Sequence, residues 1–244
     1  MNTAQTIREA VAEVERLRQE SRDVPDIGRA VAQVKRFQAR RFAGTYADLL
    51  ASGPYALAAR FFMEELYSDR DYADRDAQFA RIASAVERLF PRDVAETAAG
   101  LARLHALTES LDHGMAAVTR LEDDGDVAGY VRAWKSVGRN EDRQKQLETV
   151  ISIGAELSRL TRTPGLRLML KMMRAPASAA GMSSLQRFLE AGFDTFAKVA
   201  RTSGGAERFL AIIRDREQRL MRMLSDCDPV ACETELRAIL GQAR

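Results

Sequence analysis

The sequence predicts an all-α protein without β-strands. Apolar side chains recur every three or four residues from Ile7 to Leu240, which is the period of a helix with one buried face. The composition favours Ala, Leu, Arg and Glu, which are good helix formers, and most of the six prolines and fifteen glycines fall between the periodic segments. These observations predict a multi-helix bundle or orthogonal array of about ten helices.

The N-terminal half of the chain is expected to form five helices. The first covers Thr3–Arg22, where Ile7, Val11, Val14 and Leu17 form a narrow apolar stripe. Gly, Pro and an Asp-rich turn separate the helices that follow, because these residues favour turns over helix interiors. By the same spacing, these four helices are expected over residues 27–50, 55–67, 74–90 and 91–121.

A polar loop, Glu122–Asp126, precedes the C-terminal half. The apolar period predicts helices there over residues 130–138, 140–161, 166–174, 185–201, 209–224 and 233–240. The apolar faces on both sides of the loop resemble parts of one core. We therefore expect a single all-helical domain over residues 1–244, in which the N-terminal helix, residues 1–24, is the segment that would project.

Charge and cysteine content exclude several classes of protein. The formal net charge of +2 argues against a dedicated nucleic-acid binder, which normally carries a strongly basic surface. Two cysteines do not make a disulfide framework, and the charged first twenty residues lack the apolar core of a signal peptide. No stretch approaches the roughly 18 apolar residues of a membrane span. We therefore expect a cytoplasmic protein.

The most distinctive segment is Phe61–Ile82, which reads FFMEELYSDRDYADRDAQFARI. One interpretation is an acidic site in which one carboxyl acts as a general acid and another as a base. The other interpretation, which we favour, is structural: Asp71 and Asp74 cap the next helix, and Arg70 and Arg75 pair with them. The candidate acidic site consists of Glu64, Glu65, Tyr67, Asp69, Asp71, Tyr72, Asp74 and Asp76.

This segment also carries a family resemblance. The pattern FFxxELYxxRDYxxRDA, together with LQRFLEAGFDTF at Leu185–Phe196 and FLAIIRDRE at Phe209–Glu217, resembles a family of uncharacterised bacterial all-helical proteins. The resemblance covers most of the chain beyond the second helix. It implies an all-helical fold and carries over no activity.

Two histidines and a carboxylate lie on one helix face. His105, Glu109 and His113 are spaced four residues apart, with Asp112 close by, and such side chains can bind a transition metal. Eight residues of helix, however, span more than about ten ångströms of axis, which is too far for one ion. We therefore predict no metal site and keep these three residues as weak candidates.

A basic, Met-rich segment, Arg159–Arg174, is the second candidate site. Its apolar residues nearly encircle the helix, which favours burial or self-association over a membrane surface. It can also wall a ligand pocket with the Phe-rich helix that follows. The candidate pocket residues are Arg167, Lys171, Phe188 and Phe193, with Arg167 or Lys171 holding a charged head group.

Three functional hypotheses remain open. The first is a non-enzymatic interaction or regulatory module that forms a homodimer through the narrow stripe of the first helix and an uneven charge distribution. The second is a helical bundle that binds a small apolar or anionic ligand, such as a lipid or haem. The third is an enzyme that uses the carboxylates of residues 64–76. The sequence identifies no cofactor.

Overall fold

A computed structural model describes residues 2–65, 73–119, 122–123 and 126–243, which form thirteen helices. No β-strand occurs in these residues, and the predicted all-α fold class is confirmed. In chain order the helices are α1 (Thr3–Asp23), α2 (Pro25–Thr45), α3 (Ala47–Ala51), α4 (Ala56–Glu65), α5 (Ala73–Leu89), α6 (Arg92–Val118), α7 (Val127–Val137), α8 (Asn140–Leu160), α9 (Leu166–Met172), α10 (Arg174–Ala179), α11 (Ser183–Val199), α12 (Gly205–Asp226) and α13 (Pro229–Gln242).

The chain has more helices than expected because two segments are divided. The helix predicted over residues 27–50 breaks at Tyr46, whose backbone leaves the helical conformation while its buried hydroxyl donates a hydrogen bond to Glu217 (2.8 Å). After α9, Pro176 was expected to end the basic segment, but it lies in the first turn of α10. The first turn tolerates proline because its N–H groups have no partner within the helix.

The first helix, α1, lies against α5 and α6 and does not project. The side chains of Ile7 and Val14 are almost completely buried there, and Arg18 reaches the carboxylate of Asp76 on α5 (2.7 Å). The apolar stripe that suggested a coiled-coil seam is thus buried within the chain.

The longest helix, α6, connects the buried clusters of the protein. Its N-terminal part packs with α1, α5 and α11 through Ala99 and Ala102. Leu104 joins a cluster with α4, α8, α11 and α12, and Met115 joins another with α2, α7, α12 and α13. Side chains along its whole length therefore contribute to the core.

Helices α2 and α13 approach each other closely at Gly44 of α2. A Cβ atom at Gly44 would lie 2.0 Å from the carbonyl oxygen of Ile239, so that only glycine fits without moving the two backbones apart. At Gly100, in the middle of α6, the nearest atom to an added Cβ is Cγ1 of Ile153 at 3.7 Å, an ordinary contact.

This contrast makes a matched pair of variants. We expect Gly44→Ala to destabilise the protein by about 3 kcal/mol, because the overlap is with backbone. Gly100→Ala should instead stabilise it by up to about 1 kcal/mol through helix propensity. Urea unfolding of both variants measures the difference. Equal effects of the two substitutions would contradict the α2–α13 packing.

Candidate functional site

Two cavities lie side by side along α6, and the polarity of their walls changes along that helix. Val94, Ala98 and Leu101 face an apolar cavity of about 210 Å³, whereas Glu109 and Asp112 face a polar cavity of about 80 Å³. From Val94 to Asp112 the helix rises by about 27 Å. The two cavities share seven wall residues: Phe79, Leu101, Leu104, Val150, Leu185, Phe188 and Leu189.

Seven helices contribute to the wall of the apolar cavity, which is partly open to solvent. Aromatic rings from α4, α5 and α11 line it, together with aliphatic side chains of α6 and α8 and residues of α9 and α10. Its polar side chains, Thr97 and Gln186, are already satisfied. Thr97 donates to the carbonyl oxygen of Asp93 (2.8 Å), and Gln186 donates to that of Leu170 (2.6 Å). The wall therefore offers mainly aromatic and aliphatic contacts.

In the polar cavity, the carboxylate of Asp76 on α5 contacts two side chains from other helices. Its Oδ2 atom lies 2.7 Å from Nη2 of Arg18 and 2.9 Å from Nε2 of His105. Burial favours a raised pKa for Asp76, but the hydrogen bonds and charges of His105 and Arg18 outweigh it, and the pKa is lowered. Asp76 is therefore ionised at neutral pH.

A second ion pair, between Lys35 and Glu109, and the carboxyl group of Asp112 also line the polar cavity. The Lys35 ammonium of α2 binds both carboxylate oxygens of Glu109, at 2.6 and 2.8 Å. One turn of α2 further on, Gln38 donates to Oδ1 of Asp112 (2.7 Å). Asp112 Oδ2 accepts no hydrogen bond from any residue that the structure describes.

Asp112 is the most perturbed acid in this cavity. Burial raises its pKa from 3.8 to about 6, and the positive charges of Lys35 and Arg143 offset only part of that effect. Arg143 itself is held elsewhere: it stacks on the Trp134 ring (3.5 Å to the centroid) and donates to the carbonyl oxygen of Gly138. A buried carboxyl with a raised pKa that faces a cavity is typical of functional sites.

Only part of the predicted acidic site can be placed. Tyr67, Asp69, Asp71, Tyr72 and the side chain of Glu65 lie outside the described residues. Glu64 is exposed, and Asp74, also exposed, lies in the first turn of α5 and accepts a hydrogen bond from Gln78 (2.6 Å). Of these described side chains, Asp76 alone lines the polar cavity.

The three weak metal candidates have separate neighbours along α6. His105 contacts Asp76, Glu109 contacts Lys35, and the buried Nε2 atom of His113 lies 3.4 Å from Glu20 without forming a hydrogen bond. In the described part of the chain, no group of three or more His, Cys, Asp or Glu side chains could hold a metal ion.

The predicted ligand-pocket residues divide between the cavity and the surface. Phe188 and Phe193 line the apolar cavity, as do Leu166 and Leu170 of the basic segment. Arg167 and Lys171 point to solvent, and Arg167 lies 2.9 Å from Asp194. Neither cation lines the cavity, because both side chains are exposed and do not share the face of α9 that carries Leu166 and Leu170.

Sequence reasoning missed the α2 residues of the polar cavity. Lys35 and Gln38 are polar residues three apart, interspersed among the apolar positions Val34 and Phe37. This pattern is common on helices that face solvent. Only the packing of α2 on α6 shows that they face Glu109 and Asp112.

These features define an all-helical protein with an internal, largely apolar cavity. The family model for a domain of unknown function, DUF8198, matches residues 17–231, and the chain belongs to that family. The expected membership of an uncharacterised family is confirmed. No curated protein and no solved structure matches the chain.

Among the helices described, none is both long and apolar enough to cross a bilayer.

The raised pKa of Asp112 predicts a pH-dependent effect of Asp112→Asn. Above pH 6 the folded protein contains a buried anion, which costs about 3 kcal/mol relative to the unfolded chain. This cost disappears as the pH falls through 6 towards 3.8, because the folded protein takes up the proton first. The stability of the variant relative to the natural protein should therefore fall by about 2 kcal/mol between pH 8 and pH 4.

Urea unfolding of both proteins across this range measures the difference, and titration of all other groups cancels in the comparison. A difference that stays constant from pH 8 to pH 4 would rule out the perturbed carboxyl.

Proposed function

We propose that this protein binds a small apolar molecule in the cavity between α4, α5, α6, α8, α9, α10 and α11. The observation that carries the proposal is the apolar cavity of about 210 Å³. Protein interiors are normally packed as densely as organic crystals, with few voids larger than a water molecule. An apolar cavity of about 150 Å³ is already large enough to stay dry and to bind benzene.

Leaving such a space empty is costly. The cavity is partly open to solvent, so its aromatic and aliphatic wall stays in contact with water, which costs about 25 cal/mol per Å² of apolar surface. Water would find few unsatisfied polar partners there, since Thr97 and Gln186 already donate to backbone carbonyls. An apolar ligand would recover the lost contacts.

The chemistry of the wall favours a hydrocarbon-like ligand over an anionic one. Phe61, Phe188 and Phe193 supply aromatic faces, and Met173 and Met182 supply flexible side chains that adapt to different shapes. The expected anchors for an anionic head group, Arg167 and Lys171, do not line this cavity. Recognition by shape and apolar contact therefore suits this site best.

The other two hypotheses stay predictions. The burial of the α1 stripe against α5 and α6 removes the main argument for a homodimer. Among the described carboxylates of residues 64–76, Asp76 alone lines a cavity, and its carboxylate is already bound by Arg18 and His105.

Naphthalene serves as a neutral probe of the proposed function. We expect saturable one-to-one binding by isothermal titration calorimetry and a rise in the unfolding temperature, because a ligand that binds only the folded state stabilises it. Filling the cavity with Ala98→Leu should weaken this binding at least tenfold and stabilise the empty protein by about 1 kcal/mol.

Ala77→Leu, on the exposed face of α5, is the matched control and should leave naphthalene binding unchanged. If naphthalene binds neither the natural protein nor the Ala77→Leu variant, the proposed function is wrong. Equal binding by all three proteins would place the ligand elsewhere.

A further inference from the structure

The polar cavity presents unoccupied hydrogen-bond acceptors. Oδ2 of Asp112 and Oε1 of Gln38 accept no hydrogen bond from the described part of the chain. Both residues line the cavity, and Asp112 is only 5% exposed. Both acceptors can therefore receive a hydrogen bond from a group that enters the cavity. A ligand group that donates hydrogen bonds would complement these two acceptors.

Lys35 and Arg75, which line this cavity, and the neighbouring Arg18 are already engaged by protein carboxylates or an aromatic ring. Lys35 binds both oxygens of Glu109, and Arg18 binds Asp76. The guanidinium of Arg75 stacks on the Phe188 ring (4.6 Å to the centroid) and lies 3.9 Å from Asp76. A carboxylate ligand would have to displace one of these partners, whereas a cation would meet Asp112 directly.

The position of Asp112 fits the end of an elongated ligand. Leu101 and Leu104 line both cavities, and Asp112 lies eight residues beyond Leu104, which is about 12 Å along α6. An alkyl chain that extended from the apolar cavity past Leu101 and Leu104 would place its end near Asp112.

We propose that the ligand is an amphipathic amine, whose apolar part occupies the apolar cavity and whose ammonium group binds Asp112 and Gln38. This inference rests on the proposed function, because it assigns the head group of the same ligand. An ammonium group carries three donors and no acceptor, which matches a carboxylate oxygen and an amide oxygen. A charge-assisted hydrogen bond of this kind is stronger than one between neutral groups.

Three ligands with ten carbon atoms and different head groups test this assignment at pH 7.5: n-decylamine, n-decanol and decanoate. We expect decylamine to bind the natural protein about 10- to 100-fold more tightly than decanol, which is the range of one charge-assisted hydrogen bond. Decanoate should bind more weakly than decanol, because its charge faces Asp112. Calorimetric titration below the micelle concentration of each probe measures the three affinities.

The variant Asp112→Asn keeps the shape of the side chain and removes its charge. It should reduce the preference for decylamine over decanol to less than about threefold while naphthalene binding persists, which also shows that the variant is folded. Asp215→Asn removes a carboxylate from the exposed surface of α12 and should keep the full preference.

The possible failures are distinguishable. If naphthalene binds but decylamine binds no better than decanol, or decanoate binds best, the amine assignment is wrong and the apolar site stands. If the preference survives Asp112→Asn, the ammonium group binds elsewhere. If none of the probes, naphthalene included, binds, the proposed function itself fails.

Discussion

The packing of α1 and α2 along α6 is the constraint on which the rest of the structure depends. Ile7 and Val14 of α1 cover one side of α6, and Lys35 and Gln38 of α2 cover the next. Together with α5, α8 and α11, these helices line the polar cavity, and α6 lines the apolar cavity with α4, α5, α8, α9, α10 and α11. Because α6 contributes to three buried clusters, displacing it would open both cavities and disrupt the core at the same time.

Burying the charged side chains beside α6 removes them from water, and this desolvation costs free energy. Paired charges such as Lys35–Glu109 and Arg18–Asp76 offset their desolvation with short hydrogen bonds. Asp112 is different, since it has one amide donor and a raised pKa. Among Asp76, Glu109 and Asp112, only Asp112 lacks a hydrogen bond from a charged side chain in the described part of the protein.

The sequence was a good guide to the helices and a poor one to the site. The periodic apolar positions predict most of the helices correctly. They do not predict the break at Tyr46, where the hydroxyl donates a hydrogen bond to Glu217, a residue 171 positions away. Phe188 and Phe193, which the sequence suggested for one pocket, both line the apolar cavity. Which side of α9 faces the cavity, and which helix faces Asp112, depends on the angles between helices, and local spacing does not encode these angles.

Methyl-group NMR tests the central claim, an apolar binding cavity along α6, most directly. On titration with naphthalene, the methyl signals of Leu101, Leu157 and Leu189 should shift saturably, because these side chains line the cavity. Val34 and Leu236, which are fully buried in the α2–α7–α13 cluster, should not shift. Shifts spread evenly over both groups, or no saturable shift at Leu101, Leu157 and Leu189, would contradict the account.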